Sequence, residues 1–183
     1  MTAALGTSTS GKGRAPDRQA DGSRDIEKAK NQALYYLKFR PRSRAEMDGY
    51  LLRKGFELPV REEVLDWLEE LKYIDDLQFA RDWIQNRLRT NPMGEQRLSQ
   101  ELRQKGIPDQ VIEKALGEFR STVDERQLAL EAAWKRARVY AQRDDGETKR
   151  KLTAYLLRRG FSFEDVRHAV EKVLQESGQE RLN

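Results

Sequence analysis

The chain has 183 residues, 36% of them charged and 37% hydrophobic, with a formal net charge of +4; it can bury several small cores but not one thick globule. The absence of cysteine excludes disulfide frameworks, thiolate metal sites and cysteine nucleophiles together. No apolar run reaches the roughly 18 residues of a membrane span, and the first residues lack the apolar stretch of a secretion signal, so no membrane partner is expected and the cytoplasm is the expected compartment.

Residues 1 to 24 are rich in Gly, Ser, Thr and Ala and read as a disordered tail, because they have too little apolar surface to offset the entropy of ordering. From there the pattern is helical. The first three predicted helices cover 26–39, 44–54 and 60–71, with Pro41 between the first two and Val64, Leu68 and Leu71 at i, i+4 and i+7. The next three cover 76–89, 95–105 and 109–120, with Pro92 as the breaker and a stripe of Val111, Ile112, Ala115, Leu116 and Phe119. The last three cover 125–142, 147–159 and 163–175, with Gly146 as the breaker and Val166, Ala169, Val170, Val173 and Leu174 on one face. Residues 177–183 form a short tail. Nothing alternates with period two, so no sheet is expected.

One phrase returns three times: "LLRKGF" at 51–56, "LRQKGI" at 102–107 and "LLRRGF" at 156–161. Its glycines, Gly55, Gly106 and Gly160, lie 51 and 54 residues apart, the period of stacked supersecondary units. Eight residues before each glycine stands an apolar side chain, Met47, Leu98 or Leu152; fourteen before stands a helix breaker, Pro41, Pro92 or Gly146. Each glycine sits where a helix end needs a left-handed residue, and the Phe56, Ile107 or Phe161 that follows is placed to pack back on the last turn. The basic pairs of the phrase complement the helix dipole in that turn. The fold class is therefore all-α, an elongated, curved array of three tandem three-helix repeats spanning 25–72, 73–121 and 122–176.

Enzymatic signals are missing. His168 falls away from the apolar side of its helix and reads as a surface residue. "GETKRK" at 146–151 lacks the first glycine of a phosphate-binding loop, and no dinucleotide fingerprint occurs. The acidic pairs Glu62–Glu63, Asp75–Asp76 and Asp144–Asp145 fall near helix starts, where carboxylates cap. No catalytic, cofactor-binding or metal site is expected. Trp67, Trp83 and Trp134 lie on apolar helical faces and are expected to be buried between helices, while Tyr35 and Tyr36 are adjacent, so that at least one can face a partner. Binding remains. The third helix of each repeat, the one that would enter a DNA groove in a helix-turn-helix module, is acidic on balance. The candidate binding surface is instead built of cations around the middle helices: Arg42, Arg44, Arg53, Lys54, Arg97, Arg103, Lys105, Lys149, Arg150, Lys151, Arg158 and Arg159.

"YIDDLQFARDWIQNRL" at 73–88 with "LSQELRQKGIPDQVIEKAL" at 98–116 resembles the signature of the RecX regulatory proteins. "ALYYLKFRPRSRAEMDGYLLRKGF" and "KRKLTAYLLRRGFSFEDVRHAV" are similar to the same family, so the resemblance covers about 30–175. It implies tandem three-helix repeats and a regulator that binds RecA, above all its filament on single-stranded DNA, and inhibits ATPase and strand exchange. The partners implied are RecA, single-stranded DNA and, second to it, duplex DNA, with the protein a monomer. Two other readings stay open: a helix-turn-helix DNA binder, and an adaptor that turns the same repeats to another protein. Lys72 departs from the family in standing where a glycine often precedes the tyrosine, and "TNPMGEQ" at 90–96 replaces the common glycine-rich linker.

Overall fold

A computed structural model describes the backbone of residues 18–140 and 144–180. Its elements are α1 (Arg18–Leu37), α2 (Arg44–Arg53), α3 (Leu58–Glu70), α4 (Asp76–Thr90), α5 (Glu95–Gln104), α6 (Asp109–Thr122), α7 (Glu125–Ala137), a 3-10 turn (Arg138–Tyr140), α8 (Asp145–Arg158) and α9 (Phe163–Glu180). Among the described residues there is no strand, and the fold is all-α. Three ends differ from expectation by more than two residues: α7, expected to reach residue 142, gives way to the 3-10 turn after Ala137, and two other helices run long. α1 begins at Arg18, inside the segment expected to be disordered, and α9 runs to Glu180, into the expected C-terminal tail. Both extensions are polar, and propagation costs little once a packed nucleus exists: Ala29 and Ala33 anchor α1, and Val166 to Val173 anchor α9. The expected tail at residues 1 to 17 lies outside the described residues.

The caps follow the sequence closely. Ser43, Asp75, Asp124 and Asp144 each accept the backbone N–H three residues on, opening α2, α4, α7 and α8. At the other end of the middle helices, Gly55, Gly106 and Gly160 have φ of 87°, 74° and 79°. The residue after each glycine donates its N–H to the carbonyl five residues back: Phe56 to Leu51 (3.2 Å), Ile107 to Leu102 (3.1 Å) and Phe161 to Leu156 (3.4 Å). α3 ends with the same bond pattern on a lysine. Lys72 sits at φ 59°, with Lys72 N–H on the Glu69 carbonyl (3.0 Å) and Tyr73 N–H on that of Leu68 (2.9 Å).

Each repeat keeps its own core. Met47, Leu51, Val64 and Leu68 with Ala29 and Ala33 form the first; Leu98, Leu102, Ile112 and Leu116 with Phe79 and Ala80 form the second; Leu152, Leu156, Val166 and Val170 with Ala129 and Ala133 form the third. Trp67, Trp83 and Trp134 are half-buried at the rims of these cores rather than within them. His168 is exposed.

The repeats meet through the ends of their middle helices. The Lys105 carbonyl at the end of α5 accepts from Ser43 Oγ at the start of α2 (2.6 Å), and the Arg159 carbonyl at the end of α8 accepts from Gly94 N–H at the start of α5 (2.9 Å). The glycines allow this approach: a Cβ on Gly106 would collide with the Ala45 methyl and one on Gly160 with the Arg97 backbone, whereas one on Gly55, which lies at neither joint, would meet open space. A second contact comes from the start of the next repeat. Asp76 Oδ1 accepts from Arg44 N–H (2.8 Å), and Glu125 Oε1 from Glu95 N–H (3.3 Å). The recurring phrase thus stops a helix and, in two of its three copies, also makes a joint.

Candidate functional site

A chain of cation, aromatic and acid contacts runs through all three repeats. In the first, the Arg42 guanidinium lies 3.8 Å from the Tyr36 ring centre, Tyr36 stacks on Tyr50 at 4.0 Å, and Lys54 Nζ lies 5.5 Å over Tyr50. At the joint of repeats 1 and 2, Glu46 takes a forked pair of bonds from Arg40 (2.8 and 3.0 Å) and a third from Lys105 Nζ (3.0 Å). Lys105 also lies 5.0 Å over Trp83, whose face is shared with Arg87 at 4.6 Å. Glu101 accepts from Trp83 Nε1 (3.0 Å) and Arg87 Nε (2.8 Å), and Arg97 Nε approaches it at 3.5 Å.

Beyond Arg97 the joint of repeats 2 and 3 opens into a cavity of about 410 Å³ between Arg97 and Glu101 of α5 and Tyr155 and Arg158 of α8, with Arg159, which caps α8. Arg159 donates to the Pro92 carbonyl (2.7 Å) and lies 4.9 Å over Tyr155. Arg136 lies 5.3 Å from Tyr155 and 5.1 Å from Tyr140, and Lys151 lies 5.8 Å from Tyr140. Ring faces hold the cations over them in place; Lys105, Arg87, Arg97 and Lys151 have a carboxylate partner, whereas Arg42, Arg136 and Arg159 lie over rings with no carboxylate partner among the described residues and present positive charge beside flat apolar surface. That pairing suits phosphates and bases.

At the joints, three carboxyls are displaced from their ordinary range. Burial alone would raise Glu46, but the bonds and charges of Arg40 and Lys105 outweigh it and hold its pKa at about 2. Asp76 and Glu125 move the other way. Burial raises both, and the single backbone N–H that each accepts offsets only part of the cost.

Seven of the twelve cations expected at a binding surface lie on this run: Arg42, Lys54, Arg97, Lys105, Lys151, Arg158 and Arg159. Three are engaged elsewhere. Arg44 pairs with Asp66 (2.8 Å) and Glu69 (2.6 Å) of α3, Arg103 pairs with Asp109 (2.7 Å), and Lys149 lies in the groove between α8 and α9 near Phe163 and Arg167. Arg53 and Arg150 are exposed outside the run. The candidate surface read from the sequence leaves out the rings of Tyr50, Trp83, Tyr140 and Tyr155 and two of the cations, Arg87 and Arg136, whereas Tyr36, one of the two adjacent tyrosines expected to offer a ring to a partner, lies on the run. A signal was present. Tyr50–Lys54, Trp83–Arg87, Arg136–Tyr140 and Tyr155–Arg159 are all ring and cation at i and i+4, the spacing that lets two side chains on a helix touch.

Among the described residues no cluster of His, Asp and Glu could hold a metal ion, and no helix is long and apolar enough to cross a membrane. Models of the three helical domains of RecX match 29–68, 75–116 and 124–170 in order. A regulatory protein RecX from Prosthecochloris aestuarii is 39% identical over 150 residues, covering 82% of this chain and 96% of that protein. One from Bacillus subtilis is 32% identical over 156 residues, 85% of this chain and 59% of its own length. A crystal structure of RecX from Lactobacillus salivarius superposes with a TM-score of 0.72 at 25% identity, covering 82% of this chain and 97% of that one. These relatives carry the name of regulators, not of enzymes.

Proposed function

The chain belongs to the RecX family of regulatory proteins, and on that premise we propose that it binds the RecA filament on single-stranded DNA and inhibits ATPase and strand exchange during recombination and repair in the cytoplasm. The observation that carries this reading is the run of cations and rings from Arg42 to Lys151, spread over three jointed repeats. A helical filament offers the same contact again and again along its length, and several modest contacts on one body multiply into tight binding. The cations suit the phosphates of the filament's DNA. The exposed carboxylates of α3, α6 and α9, among them Glu62, Asp66, Glu113 and Glu164, supply complementary charge for a protein surface.

The helix-turn-helix alternative is poorly served. Its groove-entering helices would be those same acidic ones, which phosphates repel. The deciding experiment titrates this protein into RecA hydrolysing ATP on single-stranded DNA, beside its binding to the same DNA alone. Inhibition is expected well below the concentration that coats bare DNA. An unaffected RecA together with tight, salt-sensitive duplex binding would overturn the proposal in favour of the alternative.

A further inference from the structure

The two joints between repeats are built alike but charged differently. Nine residues before the glycine stands Glu46 in repeat 1 and Arg97 in repeat 2; immediately before the glycine of the next repeat stand Lys105 and Arg159. In the first joint Glu46 bridges Lys105 and Arg40, so each of these cations has a carboxylate partner. In the second, Arg97 takes the place of the acid and faces a cavity it shares with Arg158 and Arg159. The one acid that lines this cavity, Glu101, is bonded to Trp83 and Arg87 and also has Arg97 Nε at 3.5 Å, so a single carboxylate, shared with Arg87, stands against the three cavity guanidiniums. Arg159 uses one donor on the Pro92 carbonyl, and Arg158 is exposed with no partner among the described residues. The result is a pocket of about 410 Å³ with three guanidiniums and an excess of positive charge, flanked by the Tyr155 ring.

We propose that this cavity is an anion subsite that seats one phosphodiester of a single-stranded nucleic acid, with Arg97, Arg158 and Arg159 on the phosphate oxygens and the attached nucleoside against Tyr155. The inference rests on the functional reading above, in which filament DNA brings the phosphodiester. Planar guanidinium forks match phosphate oxygens. A cavity of this volume takes a phosphate with part of its nucleoside, and the ring and Met93 give that nucleoside an apolar wall, which a bare carboxylate does not require.

The test uses the full chain and a labelled oligothymidylate without RecA, with affinity measured by fluorescence anisotropy over a salt series. Arg97→Ala with Arg158→Ala is expected to lower affinity about tenfold or more and to lessen the slope of log affinity against log salt by roughly 1.4, about 0.7 for each lost phosphate contact. Arg97→Glu places at this joint the residue that the first joint uses, so it is expected to pair with Arg159, keep the melting temperature and abolish the subsite. Lys114→Ala, on exposed α6, is expected to leave the slope unchanged. A double variant that binds the oligonucleotide with the wild-type slope and affinity overturns the proposal. If oligonucleotide binding is unchanged but inhibition of RecA is lost, the cavity takes protein carboxylates and the proposal is again overturned. If the variants lose the oligonucleotide while the wild type leaves RecA ATPase untouched, the subsite stands and the regulatory reading fails.

Discussion

Replacing Glu46 by Gln removes the charge that ties Arg40 of repeat 1 to Lys105 of repeat 2 while keeping the shape of the side chain. Folding takes the Glu46 carboxyl from a pKa of 4.5 to about 2, and each tenfold gain in acidity corresponds to roughly 1.4 kcal/mol of stabilisation. Discounted for solvent screening at this partly open joint, the expected loss in Glu46→Gln is about 1–2 kcal/mol at neutral pH. Because the folded-state pKa lies below the unfolded one, this stabilisation is complete above about pH 4.5 and fades as the pH falls towards 2. Asp76 and Glu125 shift in the opposite direction but are present in both proteins, so they cancel in the difference. Urea denaturation followed by circular dichroism at about pH 7 and about pH 3 reads the effect. The gap between wild type and variant is expected to shrink to under half at the lower pH. A gap of equal size at both values, or none at pH 7, would refute the idea that Glu46 holds the joint by charge.

Lys72→Gly should raise stability by about 0.5–1 kcal/mol, since an exposed lysine at φ 59° carries a left-handed penalty that glycine does not, less the backbone entropy glycine costs; a shifted denaturation midpoint checks it. Gly55→Ala and Gly160→Ala separate the two tasks of the repeated phrase. Both are strained at positive φ, and Gly55→Ala should cost about 1–2 kcal/mol. Gly160→Ala should cost at least about 2 kcal/mol more, because its methyl meets the Arg97 backbone. Equal losses in the two would argue against the joint.

The helices were legible because each boundary carries a local cause. Ser43, Asp75, Asp124 and Asp144 cap, Pro41 and Pro92 break, and the three glycines stop the middle helices, so neighbours in sequence settle the question. Lys72 could be singled out by sequence, and its φ shows why glycine suits that position. The first turns of α1 were not legible, because polar composition looks the same in a tail and in a helix propagated from Ala29 and Ala33. The candidate surface was half legible. Counting cations on the middle helices gathers Arg44 with Arg42, yet Arg44 turns to Asp66 and Glu69 while Arg42 covers Tyr36. That Arg97, Arg158 and Arg159 share a cavity depends on the end of α8 meeting the start of α5, a tertiary contact that no local spacing encodes.

The most direct measurement is an electron cryomicroscopy reconstruction of RecA on single-stranded DNA decorated with this protein, resolved well enough to place its helices. The α2, α5 and α8 side, with Lys105, Arg97 and Arg159, is expected to turn into the filament and towards its DNA. An array docked through the acidic α3, α6 and α9, with Arg97 and Arg159 facing solvent, would contradict it.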